Sequence, residues 1–292
     1  MSHVLKPGTT EELCQIVQES DLVFADNVLV FPNQTMVVEP RKLTIVSRSQ
    51  LDSLIDIQPQ NQTVTVGAGM KLSDLKQHLF AHQQVIPIRF NDYFSAPMKS
   101  NVNHLYELID RDLPHTLMAQ HGSWSDWILE AKIVLADGTC VKSGAKVVKS
   151  VSGYDLHKLL IGARASLGLV VEVTLRTIPF PSLQPPNVET KEAELPHQTV
   201  LKYQRVCQSD WALLCDWVRA NTTSYSLDHA SQQAFFPIPP GSEAPRFMGE
   251  ITWDWRYGVS ESIAPDVAKL MNRAKQVFDP TNKLNPGVFG FL

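Results

Sequence analysis

The sequence predicts an α+β fold, because helical and strand periodicities both occur and lie in separate stretches. Leu72, Leu75 and Leu79 follow helical spacing, whereas Thr63 to Val66 alternate as in a strand. The pair Asp137-Gly138 is a strong two-residue hairpin signal. With 292 residues, 43% of them hydrophobic, the chain can bury a sizeable core. We expect one composite domain or two unequal ones.

The first elements follow from local signals. Thr9 and Glu12 form a capping box, which predicts a helix from about Thr10 to Ser20. Short apolar runs at 22–24 and 28–31 flank a turn at 25–27, and residues 43–47 form another candidate strand. The turn Gly67-Ala68-Gly69 ends the alternating strand and precedes the leucine helix; such glycine pairs are mostly structural.

The middle of the chain predicts a hairpin, a short helix and a long strand. Residues 128–135 are extended and lead through Asp137-Gly138 into 139–141. Leu156, Leu159, Leu160 and Ala163 have helical spacing. Gly168 then turns the chain into a strand to about Thr177, whose odd-numbered residues we expect to share one face: Leu169, Val171, Val173 and Leu175.

Proline and polar residues at 179–198 predict a linker, so we divide the chain into 1–181, 182–262 and 263–292. In the second unit, the sequence predicts a helix from Trp211 to Val218, a proline-rich loop at 235–245 and a strand at 251–255. The aromatic cluster from Trp253 to Tyr257 indicates that this strand is a packed edge strand. Pro265 begins an amphipathic helix that Asp279-Pro280 ends.

Charge and cysteine usage exclude several classes of protein. The net charge of −4 is spread along the chain, which argues against nucleic acid or an anionic membrane surface as a partner. Cys14, Cys140, Cys207 and Cys215 lack paired spacing, which favours free thiols in a reducing compartment over an iron–sulfur cluster. No apolar run reaches the ~20 residues of a membrane span, and the N-terminus lacks a signal-peptide pattern. We expect a cytoplasmic protein.

The segment from Gly144 to Pro181 carries a family resemblance. It contains Ser-Val-Ser-Gly-Tyr-Asp-Leu and Ser-Leu-Gly-Leu-Val-Val-Glu-Val, and it resembles a signature of FAD-linked oxidases with an FAD-binding domain of the p-cresol-methylhydroxylase type. Within that family it is most similar to the smaller FAD-binding subunit of glycolate oxidase, also called glycolate dehydrogenase. Residues 63–75, 121–138 and 278–287 match in the same order. The resemblance implies a two-subdomain FAD-binding domain with a shortened C-terminal cap region.

The resemblance also implies glycine-rich loops that this chain lacks. Backbone N–H groups must reach the cofactor's pyrophosphate, and glycine permits that approach. Residues 24–36 and 95–121 contain no glycine. Side chains would have to replace these amides, and the candidates in the two segments are Asn27, Asn33, Lys99, Ser100 and Asn101.

The family places a second group of residues around the flavin. For the glycines of this group, turn and helix-cap geometry is an equally good explanation. Tyr154 and Asp155 would alternatively be a buried tyrosine and a helix-capping aspartate. Asn285 would alternatively occupy a turn before proline. The residues that the resemblance assigns to cofactor binding are Gly122, Ser123, Gly153, Tyr154, Asp155, Gly162, Gly168, Val170 and Asn285.

Oxidation of a 2-hydroxy acid by flavin needs a base for the hydroxyl proton and a cation for the carboxylate. The sequence assigns neither. His121 and His157 are possible bases, although lone histidines are more often structural. Arg89 and Arg256 are carboxylate clamps by residue type only, and Lys149 and Arg164 would meet phosphate or solvent. No motif indicates a metal.

Two functions remain open. The first is an FAD-binding oxidoreductase subunit that oxidises a 2-hydroxy acid, or relays its electrons, alongside larger FAD-binding and iron–sulfur subunits. The second is a flavin-free structural or regulatory subunit of such a complex, consistent with the missing glycine loops and the shortened cap.

Overall fold

The computed structural model describes residues 4–26, 43–88, 104–112, 121–146, 155–180, 188–191, 200–229, 232–238, 242–248, 251–256 and 265–288. Within these ranges the chain forms three main sheets and a two-stranded pair. The four cysteines are free thiols, as expected. No helix among the described residues is both long and apolar enough to cross a membrane.

The first sheet is small and parallel. It contains β1 (Val4–Leu5), β2 (Leu22–Ala25) and β3 (Leu43–Val46) in the order β1-β3-β2. Helix α1 (Thr10–Glu19) begins where predicted, because Thr9 Oγ1 accepts a hydrogen bond from the Glu12 N–H at 3.1 Å. The second strand expected at 28–31 lies outside the described residues.

The second sheet is antiparallel and carries the largest hydrophobic core. Its strands are β4 (Leu54–Gln58), β5 (Thr63–Gly67), β7 (Ile128–Val134), β8 (Cys140–Gly144) and β9 (Leu169–Arg176), in the order β4-β5-β9-β7-β8. The remaining short elements around it are α2 (Leu72–Ala81), β6 (Gln84–Val85), which pairs with β10 (Ile178–Pro179), α3 (Leu105–Asp110) and α4 (Trp124–Trp127).

The prediction that Leu169, Val171, Val173 and Leu175 share one face was wrong. Lys132 pairs with Glu172 but its neighbour Ile133 pairs with Val170, so Val171 is an extra residue in a β-bulge. The bulge reverses the alternation: Leu169 and Val171 pack in the core of the first sheet, and Val173 and Leu175 in that of the second. One strand thereby contributes to both cores.

The predicted helix from Leu156 to Ala163 is only a 3-10 turn, Leu156–Leu159. Gly162 has φ +76°, and Arg164 and Ala165 have φ +50° and +55°, so the backbone leaves the helical region at once. This segment is hydrogen-bonded to the end of α3, where the Gly162 N–H donates to the Ile109 carbonyl at 3.0 Å.

The third sheet comprises β11 (Val188–Lys191), β12 (Val200–Arg205), β13 (Tyr225–Asp228), β14 (Gln233–Ile238) and β15 (Ile251–Arg256), in the order β11-β13-β14-β12-β15. Helix α5 (Gln208–Asn221) packs on it, and β15 is an edge strand as predicted. The loop predicted from residue 235 was wrong, because Phe235 and Phe236 are buried in β14 and tertiary packing outweighs the proline signal. The boundary near residue 182 remains our proposal.

The C-terminal helix α6 (Pro265–Phe278) ends at Asp279, as predicted, and the chain then returns to the first sheet. Leu284 forms a parallel bridge with Val23 beside β2. Lys275 holds this return: its Nζ donates to the Ser166 carbonyl, to the Leu284 carbonyl and to Asp279, at 2.6–2.8 Å. We call Lys275, Asp279 and Asn285 the clamp.

Candidate cofactor site

The first and second sheets meet at the carboxyl ends of β2 and β3. In open sheets with parallel strands, ligands bind outside these ends. Asp26 follows β2, and Ser47 and Arg48 follow β3, while Tyr106 and Asp110 approach from α3. We call these five residues the seam.

Arg48 is the centre of the seam and is fully buried. Its Nη1 donates to the Val170 carbonyl at 3.0 Å, its Nη2 pairs with the Asp110 carboxylate, and its guanidinium lies 4.3 Å from the ring centroid of Tyr106. Its Nε–H has no hydrogen-bond partner among the described residues. A buried arginine is stable only when paired, so Asp110 is indispensable to this arrangement.

Tyr106 joins α3 to the first sheet through its hydroxyl group. The oxygen lies 3.3 Å from both carboxylate oxygens of Asp26 and 3.5 Å from Ser47 Oγ. Burial, reinforced by the Asp26 charge, raises the pKa of Tyr106 well above its usual range, so the phenol stays protonated and donates to Asp26. His104 stacks on the same ring at 5.5 Å, with its Nδ1 2.6 Å from the Gly69 carbonyl oxygen.

Gly67, the last residue of β5, and Gly69 in the turn after it are explained by close packing against the backbone of residues 48–52. A Cβ on Gly67 would lie 2.0 Å from the Leu51 carbonyl oxygen, and one on Gly69 would lie 2.2 Å from that of Arg48. These distances are too short for any side chain. The structural interpretation of this turn accounts for both glycines without a ligand.

The structure describes Gly122 and Ser123 as the start of a helix. Gly122 has φ +89°, and the Ser123 N–H donates to Asp126 Oδ2 at 2.8 Å in a capping box. Gly153 and Tyr154 lie outside the described residues. Asp155 precedes the 3-10 turn but does not cap it with its side chain; it pairs with Lys158 at 3.0 Å, which lowers its pKa.

The remaining assigned residues lie on both sides of the seam. Gly168 faces Ile133, since a Cβ there would be 2.8 Å from Ile133 Cγ2, and the Val170 carbonyl is bonded to Arg48. Asn285 is fully buried in a left-handed conformation; its Oδ1 accepts from the Ala25 N–H and its Nδ2 donates to the Arg164 carbonyl, both at 2.8 Å. Val170 and Asn285 are therefore brought to the joint between the sheets.

Of the candidate bases, His157 is committed to the structure. It is buried, with Nε2 3.1 Å from the Ile128 carbonyl oxygen and Nδ1 3.2 Å from Ser143 Oγ, and burial lowers its pKa. His121 is half-buried, lies edge-on to Trp127, and also has its pKa lowered by burial. Arg256 ends β15, but its side chain is not described. The other polar candidates lie outside the described residues: Asn27, Asn33, Arg89, Lys99, Ser100, Asn101 and Lys149.

Sequence reasoning missed the seam itself. The available signal was a charged residue, Arg48, placed directly after the apolar strand β3. Tyr106 and Asp110 stand four residues apart on α3, a helix that the sequence reasoning did not predict. Their partners are distant in the chain, so local patterns gave no indication that the three meet.

The described part of the seam does not fit the pyrophosphate of FAD. It offers one guanidinium, already paired, against the two carboxylates of Asp26 and Asp110. The Gly162 N–H, a backbone donor beside Asp110, is bonded to the Ile109 carbonyl, and the Ser123 N–H is bonded to Asp126. An incoming diphosphate would add negative charge beside two carboxylates. No cluster of three metal-ligating side chains occurs among the described residues.

Comparison with known proteins identifies the type of domain. Residues 1–103, whose described elements run from β1 through β6, match the family described as FAD binding domain. A solved structure of alkyldihydroxyacetonephosphate synthase matches with a TM-score of 0.50 over 96% of this chain and 50% of that chain, at 8% identity, which shows a shared fold alone. Together they confirm the predicted α+β fold of the p-cresol-methylhydroxylase type.

Curated relatives are named for 2-hydroxy acids. D-2-hydroxyglutarate dehydrogenase of Xanthomonas citri pv. viticola is 29% identical over 58% of this chain and 35% of its own length. Glycolate oxidase subunit GlcD of Bacillus subtilis is 24% identical over 45% and 26%, and subunit GlcE of Escherichia coli 32% identical over 34% and 29%. The chain spans less than half the length of each of these relatives. The comparisons confirm the resemblance to FAD-linked oxidoreductases and FAD as the expected cofactor.

Proposed function

We propose that this chain is an FAD-binding subunit of an oxidoreductase that takes electrons from a 2-hydroxy acid. The observation that carries the proposal is the FAD binding domain match over residues 1–103, because these residues build the first sheet and one side of the seam. The names of the relatives support a 2-hydroxy acid such as D-2-hydroxyglutarate, D-lactate or glycolate as the donor.

The pyrophosphate would be held by side chains beside the described seam. Asn27 follows Asp26 directly, and Asn101 lies three residues before His104. With Asn33, Lys99 and Ser100 they offer amide, hydroxyl and ammonium donors where the family uses glycine amides. FAD, when bound, would supply the two-electron acceptor for the hydroxy acid.

His121 is the better of the two histidines for accepting the substrate's hydroxyl proton. Its lowered pKa keeps the imidazole neutral near pH 7, as a base must be, and its ring is half-buried rather than enclosed. Both ring nitrogens of His157 face protein oxygens within 3.2 Å. We propose no residue for the carboxylate clamp.

We further propose that the chain works with other subunits in the cytoplasm. Two of the relatives, those of Bacillus subtilis and Escherichia coli, are named as subunits of glycolate oxidase. A larger FAD-binding subunit would bring the substrate site, and an iron–sulfur subunit would bring the electron path. Metal-ligand clusters for a second redox centre do not occur among the described residues.

Titration of the purified protein with FAD tests this function. We expect saturable quenching of flavin fluorescence with one site per chain, and reduction of the bound flavin by one of the three hydroxy acids under anaerobic conditions. FAD binding without reduction would restrict the role to electron relay. Absence of saturable binding would reject the flavin function.

The closed seam favours a second candidate, a flavin-free subunit that keeps the fold for structural or regulatory purposes. Arg48 and Tyr106 are among the largest fully buried side chains of the chain, and both lie in the seam. This candidate predicts that the protein copurifies with a longer flavoprotein and stabilises it without carrying flavin. Unchanged activity of the partner after removal of this chain would reject it.

A further inference from the structure

We propose that Arg48, held by Asp110 and Tyr106, is an internal competitor of the dinucleotide for the seam. The inference rests on the proposed FAD-binding function and adds which groups of the chain oppose binding. Its basis is a guanidinium fixed at the carboxyl ends of two parallel strands, the place where such sheets receive a ligand.

The competitor occupies both space and hydrogen-bonding groups. Arg48 and Tyr106 are buried to within 1% and overlap at 4.3 Å, so the two planar groups fill the seam as a stack. Arg48 also occupies the carbonyl of Val170, one of the residues that the family resemblance places at the flavin. A planar ligand entering the seam must separate this stack.

Charge opposes entry as well. Asp26, which is exposed after β2, and Asp110, which is buried at the end of α3, both border the seam, and Arg48 pairs with Asp110. Release of Arg48 would remove the guanidinium that pairs with the buried Asp110 carboxylate, which is unfavourable for the protein and for an approaching diphosphate. The Arg48–Asp110 pair therefore keeps the seam closed, because the guanidinium cannot leave without exposing a carboxylate.

The hydrogen bonding of the closed seam is nevertheless incomplete. The buried Nε–H of Arg48 lacks a partner among the described residues, although buried donors are almost always bonded. Displacement of Arg48 therefore does not break a fully hydrogen-bonded group. This makes the closure reversible.

The test removes the whole pair, so that no lone charge is left buried. We would titrate FAD into wild type and into the double variant Arg48→Met/Asp110→Asn, following flavin fluorescence and the FAD-induced shift in melting temperature. We expect the double variant to bind FAD at least about tenfold more tightly than wild type, with a larger thermal shift.

Two further variants keep the test decisive. Glu130→Gln/Lys142→Met removes a partly buried ion pair on β7 and β8, outside the seam, and should bind FAD as wild type does. Arg48→Lys keeps a charge beside Asp110 but loses the planar group that overlaps Tyr106, so we expect an intermediate gain even if the double variant does not fold.

The failures are distinguishable. If wild type binds FAD and the seam variants bind equally or more weakly, Arg48 is not a competitor, whereas the proposed function stands. If neither wild type nor any seam variant binds FAD, both the inference and the flavin function are rejected. An equal gain in the control variant would assign the effect to loosened packing and overturn the inference.

Discussion

Two buried polar centres join the first sheet to the rest of the chain, and they differ in completeness. In the clamp, Lys275 Nζ has three acceptors, Asp279 also receives the N–H groups of Lys283 and Leu284, and Asn285 bonds on both sides. In the seam, Arg48 pairs with one carboxylate, that of Asp110, and its Nε–H has no hydrogen-bond partner in the described part of the chain.

This difference separates a structural joint from a closed binding site. A fully satisfied network has nothing to gain from a ligand, because each group already has its partner. An incomplete network can improve by exchanging partners. We therefore interpret the clamp as purely structural, although the family resemblance places Asn285 near the flavin, and the seam as the functional joint.

The largest effect should come from breaking the clamp. Asp279→Ala leaves the Lys275 ammonium buried without its carboxylate and removes the acceptor of two N–H groups. We expect a loss of about 5 kcal/mol in the free energy of unfolding, measured by urea denaturation. Asp266→Ala, which breaks the exposed pair with Lys269, is the control and should leave stability unchanged. Equal effects of the two variants would contradict the structural role of the clamp.

Removing one partner of the Arg48–Asp110 pair in the seam should destabilise the protein slightly less than breaking the clamp. Arg48→Met removes the guanidinium that pairs with the buried Asp110 carboxylate, and we expect the free energy of unfolding to fall by about 3–5 kcal/mol in urea denaturation. Adding Asp110→Asn should restore most of that stability, because the uncompensated charge is then absent. A double variant as unstable as the single one would show that packing, not charge, holds the seam.

A smaller loss of stability is expected from a variant at the end of β5, where Gly67 packs closely against Leu51. Gly67→Ala places a Cβ against the Leu51 carbonyl oxygen and should destabilise the protein by about 1–3 kcal/mol. Gly8→Ala is the matched control, since its added Cβ would lie 3.8 Å from Glu12 Oε2, an ordinary contact. Thermal melting compares the two variants. A tolerated Gly67→Ala would mean that the end of β5 is not so closely packed against Leu51 in solution.

The smallest predicted effect is on how the stability of the fold depends on pH. Burial lowers the pKa of His157, so the unfolded chain takes up a proton before the folded one as the pH falls below about 6.5. Stability contributed by neutral His157 is thus present above that pH and is lost as the pH falls towards the folded-state pKa. His157→Gln should flatten the dependence of stability on pH between 7 and 5. An unchanged slope would rule out His157 as its source.

Local patterns predicted the elements that depend on local causes. The Thr9 cap, the alternating β5 and the Asp137-Gly138 hairpin all formed as expected. The β-bulge at Val171 and strand β14 did not follow from the sequence, because each is set by the strand beside it. The same limit applies to the seam: Arg48, Tyr106 and Asp110 acquire their roles only when two sheets meet.

The most direct test observes Arg48 itself while FAD is added. The Nε–H of a buried arginine exchanges slowly with water and gives a resolved ¹⁵N–¹H signal, which the Arg48→Lys variant assigns by its absence. We predict that FAD shifts or broadens this signal in proportion to flavin bound. Saturable binding of FAD with the Arg48 signal unchanged would place the cofactor outside the seam and contradict the account.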